Sequence, residues 1–222
     1  MTQDQQTLAI FDLDNTLLGG DSDHAWGEFL IEQGLVDAAA HRTTNDGFYQ
    51  DYSSGSLDIV AYLKFVLGSI ANQTTAQVDE LHADFMRSTI ESMWLPKAEA
   101  LLEQHRDNGD YLLIITATSD FITAPIAKKL GVDDILASNA EIINGKYTGK
   151  HTGTPCFKEG KVTRLNDWLS DKNFDLDKAW FYSDSHNDIP LLKAVGQPVV
   201  VDGDEKLLDY AKAEGWRCIS LR

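Results

Sequence analysis

The sequence predicts an α/β fold, in which a parallel sheet carries helices on both faces and a block of helices follows the first strand. A short buried strand is indicated near the start, at residues 8–13. The next stretch, residues 19–94, shows helical spacing and no comparable strand pattern. From Pro96 onward strands and helices alternate, which is typical of a parallel sheet covered on both sides. We therefore predict a three-layer, Rossmann-like core at residues 1–18 and 95–222, with residues 19–94 inserted as a helical cap.

Each element follows from its periodicity and its flanking breakers. Three stretches of the insertion have helical spacing: HAWGEFLIEQG, LDIVAYLKFVLGSIA and VDELHADFMRSTIESMW. Pro96 closes this block, because a proline tends to end the helix before it. The later segments read as KAEALLEQHRDNG (helix), YLLIITAT (strand), SDFITAPIAKKLG (helix), EIINGKYTG (hairpin), GKVTRLNDWLS (helix), KAWFYSD (strand), NDIPLLKAVG (helix), QPVVVD (strand), KLLDYAKAEG (helix) and RCISL (strand). Ser119 or Asp120 is the expected cap of its helix, and Asn144-Gly145 is the expected hairpin turn.

The composition is that of a globular protein and disfavours several functions. Of the 222 residues, 43% are hydrophobic and 24% are charged, a balance found in folded chains. The formal net charge of -16 disfavours nucleic acid and anionic membrane surfaces, because both are negatively charged. The longest apolar run, residues 111–115, is far too short to span a membrane. We expect neither nucleic acid nor membrane as a partner, and the sequence leaves the oligomeric state open.

Two features favour the cytoplasm. Cys156 and Cys218 are too few for a disulfide framework and lack metal-ligand spacing, which fits a reducing compartment. The first residues, MTQDQQ, lack the basic segment and the apolar stretch of a signal peptide.

Acidic, hydroxylated and basic residues gather where the predicted strands end. Ligands of such sheets bind just beyond the carboxyl ends of the strands. The residues expected at this edge are Asp12, Asp14, Thr116, Ala117, Lys161, Asp184, Asn187 and Asp188. Crowded carboxylates repel each other and therefore need a hard cation, and an oxygen-only donor set favours Mg²⁺.

This set of residues suits the hydrolysis of a small phosphorylated metabolite. A carboxylate that attacks phosphorus gives an aspartyl-phosphate, and a second acid two residues later can protonate the leaving alkoxide and then activate water. Magnesium and Lys161 offset the repulsion between the carboxylate and the phosphate dianion. The hydroxyl and backbone N–H groups of Thr116 and Ala117, at a helix N-terminus, suit phosphate oxygens.

Four motifs resemble those of the haloacid dehalogenase (HAD) superfamily, in the same order along nearly the whole chain. They are FDLDNTLL, the IIT turn at 114–116, Lys161 and SDSHND at 183–188. The position of the insertion resembles the helical cap of the phosphoserine-phosphatase-like branch, subfamily IB. The resemblance implies a magnesium-dependent phosphomonoesterase. One departure is Ser183-Asp184-Ser185, where many members carry Gly-Asp-Gly; serine is small enough to keep the turn, so we expect altered loop geometry without loss of the metal.

The resemblance also implies a role for each matching residue. Asp12 matches the nucleophile and Asp14 the general acid/base, whose backbone carbonyl also binds magnesium. The implied metal set is Asp12, Asp14, Asp184 and Asp188. The implied phosphate binders are Thr116, Ala117, Lys161 and Asn187. Lys158 is a rival for the lysine position, but Lys161 begins the amphipathic helix and is preferred.

The cap is expected to select the substrate. Twelve acids stand in it against three basic residues, Arg42, Lys64 and Arg87. Asp21 lies nine residues after Asp12, where phosphoserine phosphatases place an acid that holds the substrate's amino group. Asp23 and Glu28 add to this pocket for a cation. Its expected walls are Trp26 together with Phe48, Tyr49, Tyr52 or Tyr62.

The cap lacks the arginine with which phosphoserine phosphatases hold the substrate carboxylate. In the corresponding stretch, GSLDIVAYLKFVLGS, Lys64 is the only base and Val66 stands at the arginine's place. A carboxylate buried without a bidentate partner binds poorly. We therefore expect an amine-bearing ester without a carboxylate, such as histidinol phosphate, and GDSDHAWGEFL is similar to the subgroup that contains histidinol-phosphatases. Phosphoserine remains the alternative substrate.

Two alternatives assign no catalysis to the chain. A phospho-aspartate switch also places acids and a lysine at the ends of parallel strands, although it has no use for the second acid or for the cap. A phosphate-ester-binding protein with decayed catalysis would have lost at least one of the acids.

Overall fold

The structure, a computed structural model, describes residues 6–222, and seven strands of this range form one sheet. The strands are β1 (Leu8–Phe11), β2 (Tyr111–Ser119), β3 (Asp134–Ile143), β4 (Lys146–Thr152), β5 (Trp180–Ser183), β6 (Gln197–Val201) and β7 (Arg217–Ile219). Their order is β4-β3-β2-β1-β5-β6-β7. All neighbours are parallel except β3 and β4, which form the predicted hairpin. Asn144 (φ 52°) and Gly145 (φ 74°) both have positive φ, as a tight type I′ turn requires.

Nine α-helices of the described range connect these strands. They are α1 (Ser22–Glu32), α2 (Ala38–Ser54), α3 (Ile59–Gly68), α4 (Thr75–Ser88), α5 (Pro96–Asp107), α6 (Asp120–Leu130), α7 (Glu159–Leu169), α8 (Ile189–Leu192) and α9 (Glu205–Glu214). Short 3₁₀ turns lie at Ile90–Met93 and His186–Asp188. Four helices thus lie between β1 and Pro96, which occupies the first turn of α5. There its missing N–H costs no hydrogen bond.

Helices cover both faces of the sheet, as the three-layer prediction requires. Ala9 and Phe11 of β1 belong to a buried cluster that includes side chains of α1, α3, α4, α5 and α6. The alternate residues Leu8 and Ile10 belong to a second cluster, with side chains of α7, α8 and α9. Side chains alternate across a strand, so β1 is buried on both sides and the predicted α/β class is confirmed.

Two local predictions need correction, and one helix was not predicted. Ser119 is the N-cap residue of α6, but its side chain makes no capping bond, and the Asp120 carboxylate accepts hydrogen bonds from Ala140 N and Asn139 Nδ2. NDIPLLKAVG forms a 3₁₀ turn followed by a single helical turn. Helix α2 had no predicted segment of its own, because Asn45 is its one fully buried residue and it carries no apolar stripe.

Candidate active site

The carboxyl ends of β2, β1 and β5 lie side by side, because β1 pairs with both of the other strands. Asp12 follows β1 directly, and its N–H donates to Tyr182 O at 2.9 Å, so the loop after β1 is tied to β5. Asp184 follows β5, and Thr116 lies where the pairing of β2 with β3 becomes irregular. Sheet topology therefore gathers the predicted residues at one edge.

Lys161, near the start of α7, lies at the centre of the carboxylates. Its Nζ donates to Asp12 Oδ1 at 2.8 Å and to Asp188 Oδ2 at 2.7 Å, and the side chain is 1% exposed. Burial alone lowers the pKa of Lys161, but the charges of Asp12 and Asp188 outweigh it and raise that pKa above its usual range. Lys158, the rival, instead donates to Gly55 O at 2.7 Å.

Asp12 is buried and Asp14 is half-buried, and both lie among other negative charges. Burial raises the pKa of Asp12 to about 7; Lys161 opposes the shift, and the Asp188 and Asp14 charges add to it. Burial and then the Asp21 charge raise the pKa of Asp14 to about 7. A carboxyl group that titrates near neutral pH is suited to general acid/base work.

Specific hydrogen bonds orient the Asp14 carboxylate. Its Oδ1 accepts from Ser22 N at 2.7 Å, and its Oδ2 accepts from the Thr118 hydroxyl at 2.8 Å. Ser22 belongs to the first turn of α1. Asp14 is therefore held both by the first inserted helix, α1, and by the end of β2.

Asp184 and Asp188 complete the cluster of carboxylates that begins with Asp12 and Asp14. Asp184 Oδ1 accepts from the Thr16 hydroxyl at 3.1 Å, and burial, followed by the charges of Asp12 and Asp188, raises the pKa of Asp184 well above its usual value. Asp188 Oδ2 accepts from Lys161 and from Ser183 Oγ, the latter at 2.7 Å. Asp188 Oδ1 is buried and has no hydrogen-bond partner in the described chain.

The two serines that depart from the Gly-Asp-Gly pattern have defined contacts. Besides binding Asp188, Ser183 Oγ accepts from Ser185 N at 3.2 Å, and Ser185 Oγ accepts from Asn187 N at 3.2 Å. The serine hydroxyls therefore shape the loop and hold Asp188, a function that the motif comparison had not indicated.

The residues expected to bind phosphate lie around this group. Thr116 is buried, and its Oγ1 accepts from Thr118 N at 3.2 Å. Asn187 Nδ2 donates to Tyr52 O of α2 at 3.0 Å, and its Oδ1 is buried without a partner in the described residues. Thr116 and Ala117 line a cavity that also reaches Asp12, whereas Asn187 does not line it.

This cavity, called the acidic cavity below, extends from Asp12 into the inserted helices. Its lining residues are Asp12, Asp14, Asn15, Asp21, Asp23, His24, Asn45, Phe48, Tyr49, Tyr52, Leu57, Ile59, Tyr62, Thr116, Ala117 and Thr118. Four of these residues are aspartates and four are phenylalanine or tyrosine. No lysine or arginine of the described chain is among them. Lys161 balances Asp12 from outside this lining, whereas Asp14, Asp21 and Asp23 have no lysine or arginine beside them in it, so a cationic ligand would meet opposite charge there.

Several predictions about the cap need correction. Trp26 does not line the acidic cavity: it is 1% exposed and packs against Phe29, Phe85 and Phe121 in the core. Val66, aligned with the arginine's place, is likewise buried in the core. Side chains on one helix can face either the core or a cavity, and periodicity alone does not separate the two.

Two predicted cap acids have different surroundings. Asp21 lines the acidic cavity and caps α1, and its Oδ1 accepts from Asp23 N and His24 N at 3.0 and 2.9 Å. Glu28 lies outside the cavity and accepts from Arg42 through both carboxylate oxygens. The Arg42 pair already supplies an opposite charge to Glu28, so Glu28 does not contribute to the pocket.

A family model for haloacid dehalogenase-like hydrolases matches residues 9–193. The chain belongs to this family. A histidinol-phosphatase of Neisseria meningitidis is 44% identical over 221 residues, which are 98% of this chain and 100% of that protein. A structure of a Bordetella pertussis protein of unknown function has a TM-score of 0.91 at 39% identity, covering 98% of this chain and 100% of the other. A phosphoserine phosphatase, in a phospho-aspartyl intermediate analogue, has a TM-score of 0.69 at 19% identity over 97% of this chain and 93% of its own, a likeness of fold.

The end of α2 is fastened to the rest of this hydrolase by hydrogen bonds. Three side chains outside the insertion donate to carbonyl oxygens there: Asn187 to Tyr52, Lys206 to Ser54 at 2.8 Å and Lys158 to Gly55. Tyr52 O also accepts from Gly55 N at 3.0 Å, and the positive charges of the two lysines are favourable at a helix C-terminus. These hydrogen bonds hold the end of α2 against residues outside the insertion. None of the described helices is long and apolar enough to cross a membrane.

Proposed function

We propose that this hydrolase is a magnesium-dependent phosphatase that hydrolyses histidinol phosphate through an aspartyl-phosphate on Asp12. The observation that carries the proposal is the composition of the acidic cavity: four aspartates and no lysine or arginine among its described lining residues. A substrate carboxylate would meet like charge there, whereas an ammonium group meets opposite charge. The full-length relation to a protein named histidinol-phosphatase supports the same substrate.

We further propose that residues 19–94 are the substrate-selecting cap and that residues 1–18 and 95–222 are the catalytic core. The two chain segments that connect the cap to the core run side by side, since Leu18 and Trp94 form an antiparallel bridge and Gly19 N donates to Met93 O at 2.8 Å. Paired connections can act as a hinge. Opening of the cap then admits the ester, and closure excludes bulk water.

The proposed reaction has two displacement steps at phosphorus. An Asp12 carboxylate oxygen forms a bond to phosphorus while the ester P–O bond breaks, and Asp14 gives its proton to the departing alkoxide. Water then attacks the same phosphorus, Asp14 takes a proton from it, and the Asp12–phosphorus bond breaks. Lys161 balances the charge of Asp12 during both steps, and the Thr116 hydroxyl and the Ala117 N–H suit the phosphate oxygens.

The cluster of Asp12, Asp14, Asp184 and Asp188 fits a divalent cation. Its donors are oxygens, its charge exceeds that of the single Lys161, and Asp188 Oδ1 is buried without a partner among the described residues. Asp12, the Asp14 backbone carbonyl and Asp184 would hold Mg²⁺, with Asp188 behind them. The bound ion supplies positive charge against the phosphate and the carboxylates.

Metal binding is expected to stabilise the protein through Asp184. In wild type, adding Mg²⁺ after chelation should raise the Tm and restore phosphate release, because the ion binds the native state. Asp184→Asn should lose most of this rise in Tm, because one carboxylate ligand of the proposed metal site is removed. Thermal unfolding with magnesium and with chelator measures the rise in Tm of wild type and of Asp184→Asn. The exposed Asp209→Asn is the matched control, and an unchanged magnesium response of Asp184→Asn would contradict the assignment.

The substrate is tested by comparing kcat/KM for histidinol phosphate and L-phosphoserine with magnesium present. We expect histidinol phosphate to be preferred by roughly 100-fold or more, because the phosphoserine carboxylate finds no buried cation in the acidic cavity. A preference for phosphoserine would refute the proposal. It would mean that a basic side chain outside the described lining reaches the carboxylate after the cap moves.

A further inference from the structure

Asp23 is a buried carboxylate that the proposed catalytic steps do not use. It lies in the first turn of α1, lines the acidic cavity and is 6% exposed. Its Oδ1 has no hydrogen-bond partner among the described residues. A buried oxygen without a hydrogen-bond partner is costly, so Oδ1 is placed to accept a hydrogen bond from a ligand in the cavity.

The neighbours of Asp23 differ from those of Asp21. Oδ1 of Asp21 is occupied by two backbone N–H groups at the start of α1. Burial and then the Asp21 charge raise the pKa of Asp23 well above its usual value, and the hydroxyls of Tyr62 and Thr118 beside it lower that pKa in part. The two aspartates are therefore separate acceptors within one cavity.

Part of the lining of the cavity that holds Asp23 is aromatic and aliphatic. Phe48 packs against the Tyr62 ring at 5.2 Å between centroids, and Leu57 and Ile59 line the same cavity. Aromatic and aliphatic walls favour a planar ring over an extended polar chain. A carboxylate next to such walls suits a planar ring that carries an N–H group.

Nearby side chains do not supply that N–H from within the protein. His24 is the one imidazole among the described cavity-lining residues, and its Nε2 lies 2.9 Å from Asp46 Oδ1. Asn45 Nδ2 donates to His24 O at 2.9 Å. Asp23 Oδ1 is thus left to a ligand.

We propose that Asp23 is a specificity-determining residue that accepts a hydrogen bond from an N–H of a heteroaromatic ring on the substrate, while Asp21 binds the substrate's amine. This inference rests on the proposed function and adds a second recognition point to it. It assigns the ligand class as a phosphate ester with two nitrogen groups, one aliphatic and one in a planar ring.

The test compares wild type, Asp23→Asn and Asp21→Asn on histidinol phosphate and on ethanolamine phosphate, which has the amine and lacks the ring. Asp23→Asn should lower the kcat/KM ratio of histidinol phosphate to ethanolamine phosphate by roughly 10- to 100-fold, mainly through KM. Asp21→Asn should lower kcat/KM for both esters. Glu32→Gln, at an exposed position of the same helix, should leave the ratio within about twofold of wild type.

Binding of histidinol, measured by calorimetry, separates this inference from the proposed function. Histidinol carries both nitrogen groups and needs no catalysis to be detected. Weaker binding to Asp23→Asn than to wild type supports the inference even if histidinol phosphate is not hydrolysed, an outcome that refutes only the proposed function. Equal binding of histidinol to the two proteins, or an unchanged kcat/KM ratio in Asp23→Asn, overturns the inference. A folded Asp23→Glu variant that regains part of the ratio supports a carboxylate role over a packing role.

Discussion

Replacing Asp12 with asparagine is expected to reduce phosphate release by roughly 10⁴-fold or more, the scale of loss seen when a catalytic nucleophile is removed. A carboxamide is a poor nucleophile and cannot form the acyl phosphate. The fold should persist, because Lys161 keeps its second partner Asp188 at 2.7 Å. Steady-state phosphate release and thermal unfolding measure the two effects.

Trapping the phosphorylated carboxylate gives a second measurement for Asp12. Brief exposure of wild type to ³²P-labelled ester, followed by acid quenching, should leave label on the protein, and Asp12→Asn should carry none. The matched control is Asp209→Asn, which should label as wild type does. Residual activity near the wild-type rate, or label retained by Asp12→Asn, would refute the nucleophile assignment. The lifetime of the label also tests the switch alternative, since a phospho-aspartate that lasts for hours does not belong to an enzyme that turns over.

The part of the site that lies on the sheet was predictable from the sequence. The rule that ligands bind at the carboxyl ends of parallel strands does not require knowledge of side-chain packing. It brought Asp12 and Asp184 together across 172 positions of sequence, and β1 and β5 are indeed neighbours. Lys161 was preferred to Lys158 because it was expected to begin the amphipathic helix, and it does lie in the first turn of α7, from which its Nζ contacts Asp12.

The cap was less predictable, because its contacts connect separate helices. Residues of α1 are buried over a wide arc, so its apolar pattern does not reveal which side chain faces the cavity. Trp26 was expected at the pocket and packs in the core, whereas Asp23, three positions earlier, lines the cavity. Gly27 allows α2 to approach closely, since a Cβ there would lie 2.4 Å from Asn45 Nδ2. Such pairings depend on helix docking and have no local sequence signal.

Replacing Lys161 with methionine is expected to destabilise the protein by about 3–5 kcal/mol, the usual cost of breaking a buried ion pair by removing one partner. This corresponds to a fall in Tm of roughly 6–20 °C for a chain of this size. Methionine fills similar space but leaves Asp12 and Asp188 without the charge that balances them. Activity should also fall, since the phosphate dianion would meet an uncompensated carboxylate.

The response to magnesium shows whether the loss of stability in Lys161→Met comes from the lost positive charge. Because the ion would supply part of the missing positive charge, the rise in Tm on adding Mg²⁺ should be larger for Lys161→Met than for wild type. Lys158→Met is the matched control: it removes one hydrogen bond to Gly55 O, so it should change stability by about 1 kcal/mol or less and leave the magnesium response unchanged. A Lys161→Met protein as stable as wild type in chelator would show that the carboxylates are protonated and need no buried cation. The proposed charge balance of Asp12, Lys161 and Asp188 would then be wrong.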